Sequence, residues 1–192
     1  MTELMIRTQT TPNPQALKFI MNRDVKSEGK VSFTTPQSCE HVPLACGIFA
    51  LGHIVQIHFY ENIITVTQDG SANWLDLTPR VLGSIRSAMD SHDPSFDIPS
   101  PSRAELPDEL RMIDEILDRT IRPSLQLDGG DLQVIAKDGH YIKIAYEGAC
   151  GGCPSSTSGT LYAIESVLRQ EYDPDAIVVI DDQFDQGSYG GY

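Results

Sequence analysis

The sequence predicts an α+β protein, built as two small α+β domains joined by a proline-rich linker. Two observations predict this class. Apolar residues switch several times along the chain between the alternation typical of strands and the spacing typical of amphipathic helices. Prolines near the middle of the 192 residues separate a part with seven basic and eight acidic residues, ending at His92, from a part with seven and nineteen. A chain of this length holds one large domain or two small ones, and the compositional shift favours two.

The first predicted domain, residues 1–92, contains five strands and two helices. Runs rich in β-branched and aromatic residues predict the strands, and apolar positions at helical spacing predict the helices. The Glu61-Asn62 junction between the last two strands is typical of a hairpin. The strands are predicted at residues 3–10, 16–21, 31–35, 54–60 and 62–68, and the helices at residues 43–51 and 73–89.

The predicted linker covers residues 93–107. Prolines lack an amide donor and fix φ, which excludes a continuous helix or a central strand here. The prolines of this stretch are Pro94, Pro99, Pro101 and Pro107. At the end of the chain, residues 183–192 have too little apolar surface to pack and are predicted to form a flexible tail.

The second predicted domain, residues 108–182, has the order helix, strand, strand, helix, strand. Its first helix, over residues 108–121, has its apolar residues on one face, Asp108 as its N-cap, and Pro123 either kinking or ending it. The first two strands are joined by a tight turn at Asp138-Gly139. The other elements are predicted at residues 131–137, 141–148, 155–172 and 176–180.

Composition excludes several classes of function. The formal net charge of −13 opposes nonspecific binding to nucleic acids or anionic membranes, because both are polyanions. No apolar run approaches the ~20 residues that cross a bilayer, and the first residues have no signal-peptide pattern. We therefore expect a cytoplasmic protein, or one of the mitochondrial matrix if a presequence has been removed, that binds neither nucleic acid nor membrane.

Cys150 and Cys153 form a Cys-Gly-Gly-Cys motif between a predicted strand and a predicted helix. A helix start supplies unpaired amides and the positive end of the helix dipole, which favour the thiolate that ligates metals. Pro154 suits the first helical position, and the two glycines permit a sharp turn. Two thiolates three residues apart can therefore point to one site.

Two thiolates are half of the four ligands that zinc or an iron–sulfur cluster usually takes. The sequence has no second closely spaced pair, so a second copy of the chain across a two-fold axis is the simplest source of the others. Cys39 and Cys46 lie in the other predicted domain and are interpreted as small packed hydrophobes. A redox-active dithiol, a zinc half-site and an incidental turn remain alternatives for the motif.

The segment "RPSLQLDGGDLQV", followed by a hairpin and "GACGGCPSS", resembles the C-terminal domain of the NifU family of iron–sulfur scaffold and carrier proteins. The segments "TQTTPNPQALKF", "PLACGIFAL" and "WLDLTPRVLGSI" resemble the Nfu N-terminal domain. The resemblance spans nearly the whole chain. Within it, residues 128–131 ("DGGD") are interpreted as a turn with a role in backbone geometry rather than in direct cluster contact.

The resemblance implies that Cys150 and Cys153 bind an iron–sulfur cluster, 4Fe–4S with 2Fe–2S as the alternative, between two chains. It implies a homodimer when loaded, a donor scaffold, and delivery to recipient apo-proteins without enzymatic activity. The first domain is interpreted as a recognition or stabilising module. A thiol–disulfide oxidoreductase using the same cysteines, or a zinc-binding interaction protein, are the alternative functions.

Overall fold

The computed structural model describes residues 3–97, 106–150 and 154–181, with backbone alone at residues 154–158. The chain divides into two compact units, Met1–Ile98 and Pro99–Tyr192. Each described part mixes helices with one sheet, which confirms the α+β class.

The first unit is built on a five-stranded antiparallel sheet with the strand order β1-β2-β5-β4-β3. All five strands and both helices that the sequence predicts are present, with ends shifted by a few residues. The strands are β1 (Ile6–Thr10), β2 (Ala16–Met21), β3 (Lys30–Phe33), β4 (Ile54–Tyr60) and β5 (Ile63–Gln68), and the helices are α1 (Pro43–Phe49) and α2 (Trp74–Ala88). Short 3₁₀ helices at Pro36–Cys39 and Met89–Ser91 were not predicted.

Helix α2 shows why this unit folds. Leu77, Val81 and Ile85 recur every four residues, so they lie on one face, and all three are buried in the core with sheet residues such as Phe59. The side chain of Asn73 caps the helix by accepting a hydrogen bond from the Leu75 amide at 2.9 Å.

Part of the predicted linker packs against the first unit instead of extending from it. The Phe96 ring lies in edge contact with Phe59 and His92, at centroid distances of 6.4 and 5.6 Å. The Ser27 amide donates to the Pro94 carbonyl at 2.9 Å. Packing of the aromatic ring against an apolar surface removes the ring from water. This explains why the chain stays against the first unit beyond His92. Residues 98–105 of the linker lie outside the described residues.

The second unit contains a three-stranded sheet with the order β6-β7-β8. Strands β6 and β7 form an antiparallel hairpin, and β8 runs parallel to β7, a pairing that needs the crossover supplied by a helix. The elements are α3 (Asp108–Thr120), α4 (Arg122–Leu127), β6 (Gly130–Asp138), β7 (Tyr141–Gly148), α5 (Pro154–Glu171) and β8 (Ile177–Ile180). The predicted order is therefore present with one added short helix, α4.

Two local predictions for the second unit can be refined. Asp108 is not the N-cap of α3: Pro107 holds that position, and Asp108 lies in the first turn, where it pairs with Arg111 at 2.6 Å. Pro123 does not continue the helix: α3 stops at Thr120, and the proline is the second residue of a new helix, α4, where its missing N–H is not needed. The predicted tail, residues 183–192, lies outside the described residues. Among the helices that the structure describes, none is both long and apolar enough to cross a bilayer.

Candidate metal centre

Cys150 lies just beyond the end of β7, in a turn fixed by backbone hydrogen bonds. Its amide donates to the Glu147 carbonyl at 3.4 Å, and the preceding Ala149 amide donates to the Gly129 carbonyl at 3.1 Å. Gly148, the last residue of β7, has a φ of 62°, a left-handed conformation that favours glycine. The end of the β6–β7 hairpin therefore carries the cysteine at a fixed place beside the start of β6.

Gly130, the first residue of β6, gives Cys150 the space it occupies. A Cβ atom at Gly130 would lie 2.3 Å from the Cys150 sulfur and 2.7 Å from its backbone nitrogen. The preceding Gly129 has a φ of 82°, which a side chain would strain. These positions agree with the backbone role inferred for residues 128–131, and they add a reason that the sequence alone did not reveal: Cys150 packs directly on the Gly130 backbone.

The Cys150 side chain is partly buried and packs against the apolar core of the second unit. Tyr146 packs against the same core, and its hydroxyl is buried with no hydrogen-bond partner among the described residues. The pKa of Tyr146 is raised, first because the phenol is buried and then because a Cys150 thiolate would add negative charge nearby. Tyr146 therefore remains a protonated hydroxyl, able to donate a hydrogen bond, within range of the charge on Cys150.

A buried arginine lies behind this hairpin, and sequence reasoning missed it. Arg122, at the start of α4, forms ion pairs with Asp114 and Asp118 of α3 and with Asp131 of β6, whose oxygen lies 3.2 Å from the arginine Nε. It also donates to the Leu132 carbonyl at 3.3 Å. The signal was available in part, because Asp114 and Asp118 precede Arg122 by eight and four residues, the spacing of one helical face.

Asp131 is the most buried member of this group, with no exposed surface. Its carboxylate also accepts from the Leu132 amide at 2.7 Å and from Gln126 at 3.1 Å, so the buried charge is both paired and hydrogen-bonded. Burial alone would lower the pKa of Arg122, but hydrogen bonds and charge from Asp114, Asp118 and Asp131 outweigh it, and the pKa is raised. The network fixes β6, and hence Gly130, next to Cys150.

Cys153, the other predicted ligand, lies outside the described residues. Helix α5 begins at Pro154, as the sequence predicts, so the motif ends one residue before a helix start. Cys39 and Cys46 belong to the first unit, where Cys39 is part of the apolar core and Cys46 packs against it. Within the described ranges, one other group of side chains could bind a cation: His140, Asp173 and Asp175. In this group, however, His140 Nδ1 already pairs with the Asp173 carboxylate at 2.7 Å.

Comparison with known proteins finds matches over both units. Residues 6–92 match the family described as scaffold protein Nfu/NifU N terminal, and residues 113–179 match the NifU-like domain. The human mitochondrial protein named NFU1 iron-sulfur cluster scaffold homolog is 33% identical over 191 residues, which cover 95% of this chain and 75% of the human protein. The chain belongs to the Nfu family of iron–sulfur cluster scaffold proteins. The resemblance inferred from the sequence motifs is thereby confirmed.

Other Nfu relatives are longer than this chain. NifU-like protein 5 of Arabidopsis thaliana, a mitochondrial protein, is 32% identical over 174 residues, which cover 86% of this chain and 63% of the plant protein. The chain thus spans less than two thirds of that relative's length. A solution structure of a NifU-like protein from Saccharomyces cerevisiae is 19% identical, covers 50% of this chain and 87% of the yeast chain, and has a TM-score of 0.45.

Proposed function

We propose that this Nfu protein carries a 4Fe–4S cluster between two copies of the chain, held by Cys150 and Cys153 of each copy. It passes the cluster from a donor scaffold to recipient apo-proteins and catalyses no reaction of its own. The observation that supports this most directly is the placement of Cys150: a thiol at the end of a rigid hairpin, packed on Gly130 and followed after three residues by a helix start.

The chemistry of the site favours an iron–sulfur cluster as the ligand. Thiolates are the usual ligands of such clusters, and a 4Fe–4S cluster takes four of them. Cys150 has the apolar core on one side and the Tyr146 hydroxyl near it, and limited solvent and a hydrogen-bond donor are both factors that tune cluster potential. A 2Fe–2S cluster uses the same ligands and is the alternative cargo.

The small number of ligands that each copy contributes supports a role in cluster delivery. Two ligands per copy, both in one loop, make a site that opens when the two copies separate. A structural metal is instead enclosed by ligands from a single fold. The human and Arabidopsis relatives are named as mitochondrial proteins, which favours the mitochondrial matrix over the bacterial cytoplasm as the place where this transfer occurs.

The decisive experiment is anaerobic reconstitution with iron and sulfide. Iron and sulfide per chain, together with Mössbauer and absorption spectra, should reveal one 4Fe–4S cluster per two chains. Cys150→Ser and Cys153→Ser should each abolish stable binding, whereas the matched controls Cys39→Ser and Cys46→Ser should retain it. Full occupancy in Cys150→Ser would contradict the proposal. Zinc bound in place of iron would favour the zinc-binding alternative.

Transfer is tested separately from binding. Loaded protein is mixed with an apo-enzyme that requires a 4Fe–4S cluster, and the enzyme's activity is followed in the presence of a chelator that captures free iron. Activation that the chelator does not suppress supports direct delivery. Activation only without the chelator would show that the protein releases iron rather than a cluster.

A further inference from the structure

The first unit holds a second pair of cysteines that the proposed function does not use. Cys39 ends the 3₁₀ helix Pro36–Cys39, and Cys46 lies in the middle of α1. Their sulfur atoms are 2.7 Å apart, and the two residues are not disulfide-bonded. A disulfide bond is about 2.05 Å long, so less than about 1 Å of movement separates the two thiols from bond formation.

Backbone hydrogen bonds around the two cysteines hold their sulfur atoms close together. The Val42 amide donates to the Cys39 carbonyl at 2.7 Å, and the Cys46 amide donates to the Val42 carbonyl at 3.1 Å. A capping box between Thr35 and Ser38 fixes the start of the 3₁₀ helix. Because both cysteines belong to hydrogen-bonded turns, their sulfurs meet in the folded protein without a rearrangement of the chain.

The two thiols differ in access. Cys39 has no exposed surface, whereas Cys46 is partly exposed. Burial, and then the hydrogen bond with Cys46, raise the pKa of the Cys39 thiol to about 12. A reagent from solution therefore meets Cys46 first, and Cys39 is placed to react with whatever forms there. The interpretation of both residues as packed hydrophobes accounts for the burial of Cys39 but not for this contact.

We propose that Cys39 and Cys46 form a reversible disulfide, a redox site in the first unit that is distinct from the metal centre, with low-molecular-weight disulfides of the glutathione type as its oxidant. The Cys46 thiolate attacks one sulfur of oxidised glutathione, whose S–S bond breaks, and one glutathione thiolate leaves. The Cys39 sulfur then attacks the Cys46 sulfur, and its proton goes to the second departing glutathione. Two protein thiols are oxidised, and one glutathione disulfide is reduced to two thiols.

The test uses the full chain with Cys150→Ser and Cys153→Ser, which leaves Cys39 and Cys46 as the only cysteines of the four. The protein is equilibrated with glutathione buffers of decreasing reduced-to-oxidised ratio, quenched in acid, alkylated, and cut by a glutamate-specific protease. Glu40 lies between the two cysteines, so cleavage there separates them unless a disulfide links the fragments. We expect linked fragments that reduction releases, and an equilibrium constant for disulfide formation at least tenfold higher in native protein than in urea.

Adding Cys46→Ser to the same background is the matched control and should leave no linked fragments. Fragments that stay separate at every glutathione ratio in native protein would overturn the proposal. So would a glutathione adduct on Cys46 that persists, because Cys39 would then have failed to resolve it. A linkage no more favourable in native protein than in urea would also overturn it. None of these readouts depends on iron, so the result is independent of the proposed cluster function.

Discussion

At the scale of single residues, the candidate metal centre depends on a position without a side chain. The Cys150 sulfur occupies the space that a Cβ atom at Gly130 would fill. The atoms that would have to move include the backbone nitrogen of Cys150 as well as its side-chain sulfur. A methyl group here therefore displaces the cysteine itself.

Gly130→Ala should displace Cys150 and reduce cluster occupancy on reconstitution severalfold. It should also lower the free energy of unfolding by about 1–3 kcal/mol, the usual cost of overpacking. The matched control is Gly159→Ala in α5, where an added Cβ meets nothing within 4 Å. That substitution should be neutral or stabilising by up to about 1 kcal/mol, because alanine favours the helix. Iron content and denaturant unfolding measure both, and equal occupancy in the two variants would contradict the packing argument.

His140 and Asp173 form an exposed pair whose charge depends on pH. The hydrogen bond to Asp173, and then its charge, raise the pKa of His140, and the same hydrogen bond lowers the pKa of Asp173. The histidine's contribution to stability is present below its unfolded pKa of about 6.5 and is lost as pH rises through the folded value. The aspartate's contribution is present above about 3.9 and is lost as pH falls. The pair is therefore strongest between these two values.

An NMR titration of the His140 ring should give a midpoint above the ordinary histidine value. Asp173→Asn should return the midpoint towards that value, since it removes the charge while an amide oxygen can still accept from the Asp175 backbone. Asp175→Asn is the control and should lower the midpoint less, because Asp175 acts on His140 through charge alone. Equal shifts in both variants would show that the hydrogen bond is not the main cause.

At the scale of elements, Arg122 joins α3, α4 and β6 through a buried set of ion pairs. Its side chain is 9% exposed and that of Asp131 is 0% exposed. Removal of one partner from a buried ion pair leaves the other charges without compensation in a medium that solvates them poorly. The arrangement of α3 and α4 against the β6–β7 hairpin therefore depends on one guanidinium group.

Arg122→Met should destabilise the second unit by about 3–5 kcal/mol, the range for breaking buried pairs. Arg111→Met is the matched control, because Arg111 pairs with Asp108 on the surface at 2.6 Å, where such pairs are worth at most about 1 kcal/mol. Hydrogen exchange of the β6 and β7 amides under mild denaturant measures both variants. Equal protection in the two would show that the buried network contributes no more than a surface pair.

The sequence predicted the elements well because most of them depend on local patterns. Alternation predicted β7 to the residue, and helical spacing predicted α2 within one residue at each end. What it missed depends on contacts between different elements: Phe96 packs on a strand more than thirty residues earlier, and Arg122 of α4 pairs with Asp131 of β6. The metal-ligand prediction rested on the motif and its family, whereas the role of Gly130 appears only when β6 and β7 are paired.

At the scale of the whole molecule, the uneven charge affects assembly. The residues after His92 carry nineteen acidic against seven basic side chains, so two copies that share a cluster through this part of the chain repel each other. Salt weakens that repulsion, because the Debye length falls from about 30 Å at 0.01 M to about 10 Å at 0.1 M ionic strength. Ligand sharing and charge repulsion therefore oppose each other in the proposed dimer.

Loading with iron and sulfide should convert monomer to dimer, and the dimer should dissociate more readily at 0.01 M than at 0.1 M salt. Sedimentation velocity of apo- and loaded protein at both salt concentrations measures this. Chelation of the iron should return the monomer. A loaded protein that sediments as a monomer with a full cluster would contradict ligand sharing, and small thiols would then have to supply the other two ligands.

Trp74 is the single tryptophan of the chain, and it begins α2 in the first unit. Its indole nitrogen donates to the Pro14 carbonyl at 3.0 Å, and its ring packs against the core of that unit. Tryptophan emission responds to the polarity around the indole ring. The chain thus carries an intrinsic fluorescent probe whose emission reports melting of the first unit, because unfolding exposes the indole ring to water.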